Sequence, residues 1–163
     1  MQTVWYLFRH GLATLDPDGY GDKILTAELL PESIPIVRQM AKYLKDIDGG
    51  LWMRSEILRC KQTADIITEI TAKKFVPDAR LKEFYHETFP HLKNRVKGFV
   101  EYINEKNPDK VILCTHGAVI AAIRHLLFDG EFSESNLVDY PQCGQILEIN
   151  QDKITVTDFN SPD

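Results

Sequence analysis

Cysteine is scarce in this chain of 163 residues: Cys60, Cys114 and Cys143 are far apart and odd in number. No C-x-x-C pair occurs, so neither a zinc knuckle nor a dithiol redox motif is signalled, and the odd count suits a reducing compartment. H-x-x-x-H spacing is missing as well, which argues against a histidine-ligated metal hydrolase. There is no basic run and the net charge is −5, which speaks against a nucleic-acid footprint. No stretch approaches the ~20 apolar residues of a membrane span. The apolar stretch 4–8 is too short for a secretory leader, and Arg9 and His10 interrupt it at once. Repeats, low-complexity tracts and linkers are absent too. The expectation is one cytoplasmic domain over 1–163, large enough to bury a core without disulfides or metal staples.

What is present is a soluble, globular composition, 44% apolar and 26% charged, in which strand and helix patterns alternate. Residues 3–8 read as a buried strand and 11–24 as a loop rich in Gly, Pro and Asp. A helix is expected over 35–47, with Val37, Ala41 and Leu44 on one face, Pro31 and Pro35 at its start and Gly49-Gly50 as its stop. After a short strand at 51–53, Ser55 is placed to cap a helix running through residue 70. Residues 74–90 are irregular, with a short strand near 79–82. Leu92, Val96, Phe99, Val100 and Ile103 recur at helical spacing over 91–106. A strand at 110–115 and a helix at 118–128 follow. The alternating segments 144–149 and 153–159 complete the pattern as an antiparallel pair. Such alternation predicts an α/β fold: a three-layer αβα sandwich on a mostly parallel sheet.

The chemistry concentrates where two apolar runs end. Val4-Trp5-Tyr6-Leu7-Phe8 delivers Arg9-His10-Gly11, and Val111-Ile112-Leu113-Cys114-Thr115 delivers His116-Gly117. Ligands of open α/β sheets collect at the carboxyl ends of strands, so two His-Gly pairs at one edge would place two imidazoles around one pocket. His116 also opens a helix, where free amides favour an anion. Gly11 and Gly117 would let backbone pass close to a ligand.

A neutral imidazole attacks phosphorus near pH 7 and gives a labile phosphoramidate, which makes His10 the candidate nucleophile. Arg9 and Arg59, with planar, permanently charged guanidiniums, would hold the phosphoryl oxygens, and His116 would donate to the same oxygens. Spacing alone leaves open which histidine attacks. Glu83 is a candidate to protonate the leaving oxygen, with His86 and Glu87 as competitors. His91 and His125 read as ordinary helix residues, and Cys114 as a core residue.

The motifs Phe8-Arg9-His10-Gly11, Leu25-Thr26, Ser55 to Ala64, Leu81-Lys82-Glu83 and Thr115-His116-Gly117-Ala118 stand in an order that resembles the histidine phosphatase superfamily, also called phosphoglycerate mutase-like. That resemblance implies an αβα fold, His10 as the residue phosphorylated in the cycle, Arg9, Arg59 and His116 around the phosphate, Gly117 at the substrate, and Glu83 as proton donor. It implies neither a metal nor an organic cofactor. After Glu83 the chain reads Phe84-Tyr85-His86-Glu87-Thr88-Phe89-Pro90, where the family pattern carries glycines. The few residues between Glu83 and the next helix leave little chain for a capping subdomain. In this the sequence is similar to bacterial protein-phosphohistidine phosphatases, and a phosphorylated small molecule or a phosphoprotein is the expected partner. The sequence reading is therefore a metal-independent phosphatase acting on a phosphomonoester or phosphoramidate. The alternatives are a phosphoglycerate-type mutase and a catalytically silent phosphate-binding protein.

Overall fold

A computed structural model describes residues 2–160. Strands β1 (Val4–Arg9), β2 (Leu51–Arg54), β3 (Val76–Pro77), β4 (Lys110–Thr115), β5 (Gln145–Asn150) and β6 (Lys153–Asp158) form one sheet in the order β3-β2-β4-β1-β5-β6. β3, β2, β4 and β1 run parallel, and β5 and β6 continue the sheet antiparallel. The two central strands of the parallel part, β1 and β4, are largely buried on both faces, which is why they read as nearly continuous apolar runs.

Alternate residues of those strands enter two cores. Phe8, Ile112 and Cys114 pack with α1 (Ile34–Leu44) and α2 (Leu58–Thr71), through Val37, Met40, Leu44 and Ile67. Leu7, Val111 and Leu113 pack with α3 (Phe89–Lys106) and α4 (Gly117–Phe128), through Leu92, Val96, Phe99 and Ile120. Helices therefore cover both faces of the sheet, giving the αβα sandwich. Each fully buried Leu, Ile, Val or Phe in these cores contributes roughly 1.5–3 kcal/mol. Trp5 and Trp52 are buried, at 2% and 6% exposure.

Local chemistry sets several boundaries differently from the sequence pattern. α3 begins at Phe89, two residues before the expected start, because Thr88 Oγ1 accepts from the His91 amide at 3.2 Å and Pro90 suits a first turn. Residues 79–82 do not form a strand: Ala79–Leu81 is a 3-10 turn capped by Asp78, and the short edge strand is Val76–Pro77. A 3-10 turn, Pro31–Ser33, leads into α1. Ser55 is not the cap of α2; that position is Ile57, in extended conformation at φ −67° and ψ 143°.

Register is what positions the site. β1 and β4 are neighbours, with Phe8 opposite Cys114 and Arg9 opposite Thr115. The next residue on each strand is a histidine, so His10 and His116 leave the sheet side by side.

Candidate functional site

The rings of His10 and His116 lie 5.4 Å apart, centroid to centroid. Between them runs Arg59, the second residue of α2, which is completely buried. Its Nε–H donates to His10 Nε2 at 3.1 Å, and its Nη2 donates to Glu83 Oε2 at 2.7 Å. Its Nη1 bonds the carbonyl of Ile24. Glu83 Oε2 also lies 3.3 Å from His116 Nδ1. Residues 10, 59, 83 and 116 thus form one continuous polar cluster. Arg9 flanks it: its Cζ is 5.0 Å from the centre of the Tyr140 ring, and its buried Nε has no hydrogen-bond partner among the described residues.

The histidines carry opposite charge states. His10 Nδ1–H donates to the Gly11 carbonyl at 2.7 Å, which fixes the tautomer and leaves the Nε2 lone pair facing the cluster. Burial, reinforced by the charges of His116 and Arg59, holds its pKa well below the ordinary 6.5. His116 would be lowered by burial too, but the Cys60 sulfur at 3.6 Å and the Glu83 carboxylate outweigh that and hold it at about 9. Burial would raise Glu83; the His116 and Arg59 cations reverse that and bring it to about 2. At neutral pH His10 is a neutral imidazole beside an imidazolium, a guanidinium and a carboxylate.

Supporting residues account for the geometry. Ser55, completely buried, accepts from His116 Nε2 at 2.9 Å and from the Ile57 amide at 3.2 Å. Its hydroxyl orients the imidazole rather than capping α2. Thr63 Oγ1 accepts from the Gly11 amide at 2.9 Å and donates to the Arg59 carbonyl at 2.8 Å, tying the loop after β1 to α2. The glycines make room for protein rather than for a ligand. A Cβ on Gly117 would stand 2.5 Å from the Tyr140 ring, and one on Gly11 would stand 2.9 Å from Val37. Gly117 does line the smaller of the two clefts beside the cluster.

Of the expected proton-transfer candidates, only Glu83 enters the cluster. Glu87 pairs with Arg95 and His91, and Arg95 also donates to the carbonyls of Arg80 at 2.7 Å and Lys82 at 3.0 Å. That clamp holds the segment carrying Glu83. His86 is exposed and stacks on Tyr85 at 3.9 Å. His125 is bonded to Asp129 and Asp139.

Two tyrosines that carry no signal in the sequence cover the cluster. The Arg59 Cζ is 4.2 Å from the centre of the Tyr20 ring, and Tyr140 is the partner of Arg9 described above. His10 is 1% exposed and His116 is completely buried. The cover comes from the loop between β1 and α1, which carries Tyr20, and from the segment between α4 and β5, which carries Tyr140, so enclosure does not depend on the short segment after Glu83. Among the described residues no three His, Cys, Asp or Glu side chains are grouped to hold a metal ion, and no helix is long and apolar enough to cross a membrane.

A neutral imidazole set among fixed cations at the carboxyl edge of a parallel sheet is the place where open α/β folds collect ligands, and its donors have the chemistry to hold an oxyanion. The family model for the histidine phosphatase superfamily, branch 1, matches residues 5–88 and 84–162. The chain belongs to that superfamily. It is similar to an uncharacterized phosphatase, PhoE, of Bacillus subtilis, 24% identical over 149 residues that cover 76% of each chain. Its fold matches a putative alpha-ribazole-5'-P phosphatase from Escherichia coli at a TM-score of 0.77 and 18% identity, covering 99% of this chain and 97% of that one. It also matches the protein histidine phosphatase SixA complexed with tungstate, at a TM-score of 0.67 and 16% identity, with 95% and 94% covered.

Proposed function

We propose that this chain is a phosphatase that hydrolyses a phosphomonoester or phosphoramidate through a phosphohistidine on His10. The observation that carries the proposal is the orientation of His10: its Nδ1–H is committed to Gly11, and its Nε2 lone pair faces Arg59. The phosphatase names of the B. subtilis relative and the E. coli fold neighbour support hydrolysis as the reaction type.

Phosphoryl oxygens would take up the donors of Arg9, Arg59 and His116. Those fixed positive charges face the equatorial oxygens, where charge is spread in the transition state. Engaging them with phosphate withdraws them from Glu83, so its pKa rises from about 2 and the carboxyl becomes able to hold a proton. His10 Nε2 forms the N–P bond as the bond from phosphorus to the leaving group breaks, and Glu83 protonates the departing atom. In the second half, Glu83 takes a proton from water, water oxygen bonds to phosphorus, and the N–P bond breaks to return neutral His10 and phosphate. The substrate in this reading is a phosphorylated small molecule or a phosphoprotein, met in the cytoplasm.

One observation favours a second reading. A mutase must keep water from the phosphoenzyme, and the cluster lies beneath Tyr20 with His10 almost fully buried. Product analysis separates the two: incubation with glycerol 2-phosphate gives free phosphate for a hydrolase and the positional isomer for a mutase. The proposal itself is tested by phosphate release from 4-nitrophenyl phosphate, expected for the wild-type chain and lost in folded His10→Ala. Equal release by that variant would refute it.

A further inference from the structure

Two clefts open beside the cluster, and both are bounded by Arg9, Tyr20 and Tyr140. The larger, about 620 Å³, runs over Ile36 and Val37 toward Gln142 and Asn160. That volume falls within the range of small-molecule sites, roughly 300–1,000 Å³. The charged side chains on its wall are Arg9, Asp16 and Glu32. On the smaller cleft, about 460 Å³, they are Arg9, Asp18 and Glu83. Arg9 is thus the one cation on either wall among the described residues, and the carboxylates Asp16, Asp18 and Glu32 are all exposed.

In the function proposed above, on which this inference rests, the transferred phosphoryl group occupies the cationic donors, Arg9 included. The remainder of the substrate then meets tyrosine rings, aliphatic side chains, amides and carboxylates. A second phosphate or a carboxylate there would face Asp16 and Glu32 without a counter-charge, in a chain whose net charge is already −5. An uncharged group meets no such penalty, and an amine is attracted. Separations within one cleft are comparable to the Debye length, about 10 Å at 0.1 M salt, so this bias survives in dilute buffer and weakens as salt rises.

We propose that the two clefts, which share Arg9, Tyr20 and Tyr140, together form the leaving-group subsite, with the departing atom at Glu83 in the smaller and the remainder of the substrate in the larger. This subsite selects phosphoryl compounds whose remaining part is uncharged or bears an amine cation, rejecting those with a second anionic group. Matched substrates read this out. The value of kcat/KM for 4-nitrophenyl phosphate is expected to exceed that for 4-carboxyphenyl phosphate by about tenfold or more beyond the ratio of their spontaneous reactivity, and phosphoethanolamine to exceed phosphoserine in the same sense. The double variant Asp16→Asn, Glu32→Gln narrows both ratios, whatever its absolute rate, and so does 0.5 M salt. Equal preference for the charged and uncharged members, or ratios untouched by the double variant, would overturn the proposal. Binding of the non-hydrolysable pair benzylphosphonate and 4-carboxybenzylphosphonate, measured by calorimetry, reads the same charge preference without turnover. A chain that discriminates between the phosphonates yet hydrolyses nothing keeps this subsite and loses the phosphatase reading. One that hydrolyses all substrates alike and binds both phosphonates alike loses the subsite alone.

Discussion

Arg59 Nε donates to His10 Nε2 across 3.1 Å, which places a guanidinium on the lone pair that attacks phosphorus in the proposed reaction. Burial first, and then the charges of His116 and Arg59, keep His10 neutral, while the Nδ1–H bond to Gly11 keeps its Nε2 aimed into the cluster. Attack requires that the donor pass from His10 to a phosphoryl oxygen. In the proposed reaction Arg59 therefore both protects the nucleophile and recognises the anion that releases it.

Glu83 touches Arg59 and His116 but not His10 in this structure, which suits a group acting on the leaving atom. Glu83→Gln is expected to lower kcat/KM for an alkyl phosphate by about a hundredfold or more, because an alkoxide needs a proton to depart. For 4-nitrophenyl phosphate, whose phenolate leaves unaided, the loss is expected to stay below about tenfold. Steady-state kinetics on the two substrates check this, and equal losses would remove Glu83 from proton transfer.

The same carboxylate shapes stability against pH. Its pKa, about 2 against an ordinary 4.5, gives a contribution that is complete above pH 4.5 and is lost as pH falls through 2. His116, at about 9 against 6.5, contributes fully below pH 6.5 and loses that contribution as pH rises through 9. Urea titrations of wild type and Glu83→Gln are expected to differ most, by about 3 kcal/mol, between pH 4.5 and 6.5, the difference shrinking toward either extreme. A pH-independent difference would contradict these charge states.

Glu87 is expected to matter for folding and not for proton transfer. Its ion pair with Arg95 is nearly buried, at 6% and 7% side-chain exposure, and breaking such a pair from one side costs about 3–5 kcal/mol. Glu87→Gln should lower the urea midpoint accordingly while leaving the alkyl-to-aryl rate ratio unchanged at a temperature where the variant is folded. A changed ratio with unaltered stability would return Glu87 to the reaction.

The parallel core and its two histidines are legible in the sequence because both signals are local. An apolar run buried on both faces reads as a strand, and His-Gly at its end marks the sheet's carboxyl edge. Adjacency of β1 and β4 follows from strand order, which periodicity does not encode. Ser55 was readable as a polar residue before a helix, and that statistic misassigned it: the hydroxyl is drawn to His116, and Ile57 takes the cap position without a side-chain hydrogen bond. Tyr20 and Tyr140 lie outside the strands and α-helices, where no period marks an inward side chain; only the folded loops bring them over Arg59 and Arg9. Glu83 and Glu87 are both acidic residues in one irregular segment, and what separates their roles is Arg95 on the following helix.

The most direct measurement is a rapid quench of the wild-type chain with a 32P-labelled aryl phosphate, followed by peptide mapping of the trapped label. The account predicts an acid-labile, alkali-stable phosphoenzyme with all label on His10, absent in His10→Ala and longer-lived in Glu83→Gln. Steady turnover with no trapped label, or label on His116, would contradict it.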